Sequence, residues 1–191
     1  MASKRRQQIE EVALRLFAER GFRDVSTKDI AEAAGIGESA LYRHMESKDE
    51  LAFRVFGVAY RGFAEKLSAA LPEGGSLAGD VTALVETLYR AFDEDPVLLR
   101  FLVLRQHDSI PYIDLDEVNP VSVAEGIIDR ALGRGEIQGD RQLALAVLMG
   151  IVLQPLVNAL YGRIPTPVLP LAPQVGAFVL RALGASTAVT A

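Results

Sequence analysis

The chain has 191 residues, half of them hydrophobic, and no cysteine, which excludes disulfides, thiol nucleophiles and Cys-containing zinc sites. With only His44 and His107, histidine metal sites are also unsupported, so neither a metal nor a cofactor is expected. The net charge of −5 argues against a nucleic-acid partner until its distribution is read: residues 1–48 hold nine Lys or Arg against eight Asp or Glu, and residues 49–191 hold eleven against seventeen.

Ile9, Val12, Ala13, Leu16 and Phe17 recur at helical spacing and predict an amphipathic helix of about five turns, ended by Gly21. Ser26 and Asp29 have the spacing of a capping box, which gives acceptors to the free amides of a new helix start, and a short second helix over 27–34 follows. Its small residues Ala31, Ala33 and Ala34 let another helix approach closely, and Gly35 permits the positive φ of a sharp turn. A third helix covers roughly 38–45. Ser47 and Glu50 repeat the capping spacing before a long fourth helix with Leu51, Val55, Val58, Ala59, Gly62, Phe63 and Leu67 on its buried face.

After "PEGGS" at 72–76 the helices become larger and more apolar. Val81, Leu84, Val85, Leu88 and Phe92 mark one; Pro96 opens the next, with Leu98, Phe101, Leu102 and Arg105 along one stripe. A loop over 109–119 precedes a helix from Pro120 to about 132, and Asp140 heads a long apolar helix to about 161. "RIPTPVLPLAP" cannot be helical throughout, and a last helix with Val175, Phe178 and Val179 starts at 174. No strand alternation appears, so the expected fold class is all-α.

The stretch 143–160, "LALAVLMGIVLQPLVNAL", approaches the length of a membrane span. Gln154, Pro155 and Asn158 interrupt it, and it lacks aromatic and basic anchors on both sides. It predicts a helix buried all round, by its own core and by a partner chain, and no membrane contact. Residues 1–8 are polar and lack the apolar stretch of a secretory signal, so a cytoplasmic location is expected.

Ala31, Gly35 and Leu41 have the spacing of a helix-turn-helix: a small residue where two helices touch, a glycine at the turn, and a plug beneath the recognition helix. With "LFAERGF", "TKDIAEAAGIG" and "LYRHMESKDEL", the region from about residue 8 to 55 resembles the DNA-binding domain of the tetracycline-repressor (TetR) family. The resemblance covers about a quarter of the chain. It implies a helix-turn-helix domain over 1–52 and a larger helical ligand-binding and dimerisation domain over 53–191. The implied function is that of a homodimeric repressor, not an enzyme, that binds a palindromic site on double-stranded DNA and is released by a small, largely apolar effector.

Tyr42 and Lys48 would then contact phosphates; Thr27, Lys28, Ser39, Arg43 and His44 would reach backbone or base edges; Lys4, Arg5 and Arg6 would form a basic arm along the DNA. Gly37 and Glu38 depart from the family pattern at the head of the recognition helix, and Met45 replaces a usual phenylalanine. Glu38 either accepts from a cytosine N4 amine or only stabilises a helix start. Ligand-pocket candidates are Phe56, Tyr60, Phe63, Tyr89, Phe101, Arg105, His107, Tyr112 and Asn158, with Arg105 facing an anionic group or pairing with Asp93 or Asp108. Leu145, Leu148, Met149, Val152, Leu153, Leu156, Val175, Phe178 and Val179 are candidates for the dimer interface or for ordinary core. A DNA-bound regulator without a ligand, and a carrier or enzyme with a vestigial DNA head, are the competing classes. Walker, nucleophile-elbow, zinc-protease and calcium-loop signatures are absent from the sequence.

Overall fold

The computed structural model describes residues 4–109 and 118–185, of which 105–109 are described by their backbone alone. Among the described residues the chain forms α1 (Lys4–Arg20), α2 (Thr27–Ala33), α3 (Glu38–Leu41), α4 (Lys48–Ala70), α5 (Leu77–Glu94), α6 (Pro96–Ser109), α7 (Pro120–Gly133), α8 (Arg141–Leu160) and α9 (Ala172–Ala182), with a 3-10 turn at Leu169–Leu171. No strand occurs among them. The all-α expectation is met. The helices gather into two compact units, one from the described residues of Met1–Tyr60 and Val97–Asp116, the other from those of Arg61–Pro96 and Glu117–Ala191.

In the first unit, α1 buries Ile9, Ala13, Leu16 and Phe17 and stops at Gly21, whose φ of 86° lies in the left-handed region. The capping box is present: the Ser26 hydroxyl accepts from the Asp29 amide at 3.1 Å, and the Asp29 carboxylate accepts from the Ser26 amide at 2.7 Å. The turn after α2 is a Schellman motif. Ile36 N–H donates to Ala31 C=O at 2.9 Å and Gly35 N–H to Glu32 C=O at 3.0 Å, with Gly35 at φ 66°.

α3 is shorter than its sequence pattern. After Leu41 the chain tightens: Arg43 N–H donates to Ala40 C=O and His44 N–H to Leu41 C=O, both three residues back, so Tyr42, Arg43 and His44 stand on a 3-10-like turn. A second difference lies at the start, where Lys4, Arg5 and Arg6 belong to the first turn of α1 rather than to an extended arm.

In the second unit α5 is central, burying Leu77, Val81, Leu84, Val85, Leu88, Tyr89 and Phe92 against α9, α7, α8 and the 3-10 turn. Asp93 accepts from the amides of Val168 (2.9 Å) and Leu169 (2.8 Å), which fastens the segment leading into α9. Asp80, fully buried on α5, is held by Arg130 of α7 at 3.0 Å, and the Leu77 amide at the head of α5 donates to Glu136 at 2.6 Å.

Helix α8 departs from the expectation of burial all round: 33% of its apolar window is buried within the chain. Leu145, Leu148, Val152 and Leu156 point inward, whereas Leu143 is 65% exposed and Ala146, Gly150 and Gln154 are exposed on the other face. The last helix starts at Ala172, two residues earlier than expected, because Pro173 falls in its first turn, where proline costs no hydrogen bond.

Candidate DNA-binding surface

α3 cannot stand alone. A helix this short is unstable in water, so its position must come from its neighbours. Leu41, fully buried, is its one anchoring side chain; Ala31 and Ala34 of the preceding segment and Met45 of the following turn are buried with it. The Gly35 turn fixes how α3 leaves α2. What remains outward is polar or amphipathic: Glu38, Ser39, Arg43 and Tyr42 are exposed, Tyr42 to 52%.

Two clamps behind this helix come from residues distant in sequence. Lys48 donates its ammonium hydrogens to the carbonyls of Phe22 (3.0 Å) and Val25 (2.9 Å) and lies over the Phe22 ring at 4.2 Å. At the start of α4 the helix dipole disfavours a cation, and these two acceptors with the ring offset that. The expected phosphate contact is therefore corrected in one respect: this lysine already binds the loop between α1 and α2. Arg54, to which the sequence reading assigned no role, bridges three segments. Its Nε is 2.8 Å from Glu10 of α1, its Nη1 meets Glu50 of α4, and its Nη2 donates to the His44 carbonyl at 3.1 Å. The Glu50-to-Arg54 spacing was a readable signal, since acid and base four apart on a helix are neighbours.

The other candidates divide by what they touch. Arg6 pairs with Glu10 at 3.0 Å and Arg5 donates to Gln8 at 3.0 Å, so both basic groups are used along α1, while Lys4 and Lys28 are exposed. His44 is half-buried. Thr27 donates its hydroxyl to Glu38 Oε1 at 2.6 Å, joining the first residues of α2 and α3. Asp29 keeps its carboxyl below the usual range, mainly through the hydrogen bonds from the Ser26 hydroxyl and amide, with Arg20 at 3.9 Å adding to them.

Among the ligand-pocket candidates, Phe56, Tyr60 and Phe101 meet in the first unit. Phe56 stacks on Tyr60 with centroids 5.1 Å apart and meets Phe101 edge-on at 5.7 Å. The Tyr60 hydroxyl is buried without a hydrogen-bond partner among the described residues, and burial pushes its pKa up to about 12. In the second unit Phe63 and Asn158 are half-buried, and Tyr89 is fully buried with its hydroxyl donating to the Val152 carbonyl at 3.0 Å; burial raises its pKa well above the ordinary phenol value. Tyr89 is thereby occupied within its own core. The side chains of Arg105 and His107, and Tyr112 altogether, lie outside the described residues.

Of the interface candidates, Leu145, Leu148, Val152, Leu156, Val175 and Val179 are buried within their own chain and form its core, the physical reason being that they face α5, α7 and each other. Met149 and Leu153 are half-buried and Phe178 is 45% exposed, so these three retain surface.

Residues 9–55 match the family model described as bacterial regulatory proteins, tetR family. The chain is 38% identical over 95 residues to the HTH-type transcriptional repressor KstR2 of Rhodococcus jostii, a stretch covering 48% of this chain and 45% of that one. It is 46% identical over 54 residues to an HTH-type transcriptional regulator of Staphylococcus aureus, covering 28% of this chain and 29% of the relative. The match thus spans less than half the length of either curated relative. Among solved structures, the fatty acid degradation regulator FadR from Bacillus halodurans aligns over 94% of this chain and 96% of its own, with a TM-score of 0.76 at 18% identity. FadR from Bacillus subtilis, solved in complex with stearoyl-CoA, aligns over 91% and 96% with a TM-score of 0.73 at 16% identity, a likeness of fold. With the helix-turn-helix geometry in place and the family model matching over the same stretch, residues 9–55 form a DNA-binding domain of the tetR family of bacterial regulatory proteins.

Proposed function

We propose that this protein is a cytoplasmic transcriptional repressor that holds a palindromic operator as a homodimer and releases it when a small, largely apolar molecule binds. Residues 1–52 carry the DNA contact; residues 53–191 bind the effector and pair the two copies. The observation that carries the reading is the outward face of α3, where Ser39, Tyr42 and Arg43 are exposed above the buried Leu41 and held by tertiary clamps. Tyr42, Lys28 and Arg43 supply phosphate and base-edge contacts from this face.

One so short a helix touches few bases, so a second copy is needed, and two heads on one side of B-DNA sit about 34 Å apart. The uncovered face of α8 and α9, with Leu143, Ala146, Gly150, Leu153 and Phe178, supports pairing there; its small residues allow close approach of helices. An effector acts only through its different affinity for the DNA-competent and released states. The Tyr60 hydroxyl, without a partner among the described residues and beside two phenyl rings, supports a mostly apolar ligand with a polar anchor. An acyl thioester is the first class to test, given the stearoyl-CoA found in a protein of the same fold.

Nuclease footprinting on duplexes selected from a randomised library tests the whole reading. The expected result is a two-part palindromic footprint, one helical turn between its halves, that is lost on adding an acyl-CoA. A monomer in solution that protects no preferred sequence overturns it.

A further inference from the structure

We propose that Thr27 and Glu38 act as one reading unit, in which the threonine hydroxyl aims the glutamate carboxylate at a cytosine N4 amine and so serves as a positioning residue rather than a phosphate contact. The inference rests on the DNA-binding reading and adds a specificity determinant to it. The contact spans the helix-turn-helix, from the first residue of α2 to the first residue of α3, at 2.6 Å. That length is typical of a hydroxyl donating to a charged acceptor, about 2.5–2.7 Å.

Proton accounting then decides the role of Thr27. A carboxylate only accepts, so the single hydroxyl hydrogen of Thr27 is committed to Glu38. A DNA phosphate oxygen also only accepts. The hydroxyl cannot serve both, and its contact with a phosphate would require breaking the bond already made.

Glu38 is exposed on the outward face, and Thr27 is its one hydrogen-bond partner among the described residues, so Oε2 keeps its accepting capacity. A free glutamate there would be repelled by phosphates and would sample several rotamers. Held by Thr27, it presents an acceptor in a fixed place, the arrangement that a base-edge donor rewards. In the major groove the cytosine N4 amine suits a carboxylate; the adenine N6 amine lies beside N7, whose lone pair repels one.

The test uses the full chain and an operator selected by the wild type from randomised duplexes. Affinities are measured for the operator, for each of its single base-pair variants and for a scrambled duplex. Glu38→Ala is expected to lose roughly tenfold of the preference for one C·G pair. Thr27→Val should lose preference at that same pair while binding the scrambled duplex as before, Thr27→Ser should retain it, and the double variant should match Glu38→Ala alone. From the DNA side, a cytosine analogue without its exocyclic amine at that pair should weaken wild type and leave Glu38→Ala unchanged, a readout that holds even where a variant folds poorly. Uniform weakening of all duplexes by Thr27→Val, uniform tightening by Glu38→Ala, or additive effects in the double variant overturn the inference while the DNA-binding reading stands. A wild type that prefers no sequence overturns both.

Discussion

The two compact units are stabilised differently. The unit containing the helix-turn-helix relies on polar devices tied to backbone groups: a capping box at Ser26, a Schellman turn at Gly35, Lys48 on two carbonyls and Arg54 across three segments. The unit built on α5 has backbone-directed contacts too, Asp93 on the amides of Val168 and Leu169 and Glu136 on that of Leu77, but its helices α5, α7, α8 and α9 meet mainly through Leu, Val and Ile side chains. Backbone-directed devices require particular residue types, because few side chains cap a helix or tolerate φ near 66°. Aliphatic cores accept many substitutions at constant volume. The contrast accounts for a family match over residues 9–55 alongside a fold match over 94% of the chain at 18% identity.

The sharpest way to break that contrast is to cut a cavity in each unit. Leu41→Ala and Leu148→Ala, both at fully buried positions, should each cost about 3 kcal/mol in a urea titration. Only the first should abolish operator binding while the chain remains folded; equal loss of binding would mean that the heads are not held locally. Arg54→Met removes the cation shared by Glu10 and Glu50, leaving Glu10 with Arg6, and should cost about 2 kcal/mol. Gly35→Ala should cost about 1 kcal/mol, and because nothing lies within 4 Å of the added methyl, that cost is conformational rather than steric.

The smallest effect is that of acid. Asp29 in one unit, and Asp129 and Glu136 in the other, hold their carboxyls below the usual range through hydrogen bonds from Ser26, Arg141 and Arg134 respectively. The unfolded chain therefore binds protons more readily than the folded one. Their contribution is present above about pH 4.5 and is lost as pH falls through and below the ordinary carboxyl range. Melting temperature followed down to about pH 3 should fall in wild type, and slightly less in Asp29→Asn. A flat profile would show these pairs to be inert, as exposed ion pairs often are.

The helix-turn-helix was legible because its devices are local: Ser26 and Asp29 are three residues apart, and Ala31, Gly35 and Leu41 fall within one short stretch. The Lys48 clamp was not, since its acceptors are carbonyls 26 and 23 residues away that no side-chain pattern marks. The end of α3 was misjudged because the tightening over 42–44 leaves apolar spacing almost unchanged. On α8 leucine and valine occur all round the helix, so periodicity does not tell the inward Leu148 from the outward Leu143. Leu145, Leu148, Val152, Leu156, Val175 and Val179, offered as interface or core, are core of their own chain.

Carbonyl oxygens are the same whatever amino acid carries them. Because Lys48 grips main-chain acceptors at positions 22 and 25 and lies over the Phe22 ring, loop positions between α1 and α2 other than Phe22 are free to drift in sequence without removing the oxygens it binds. The lysine itself has no such latitude: a shorter cation would fall short of both oxygens, and an arginine would bring a planar fork to a place shaped for a point charge. Variation is thereby permitted on one side of the clamp and forbidden on the other.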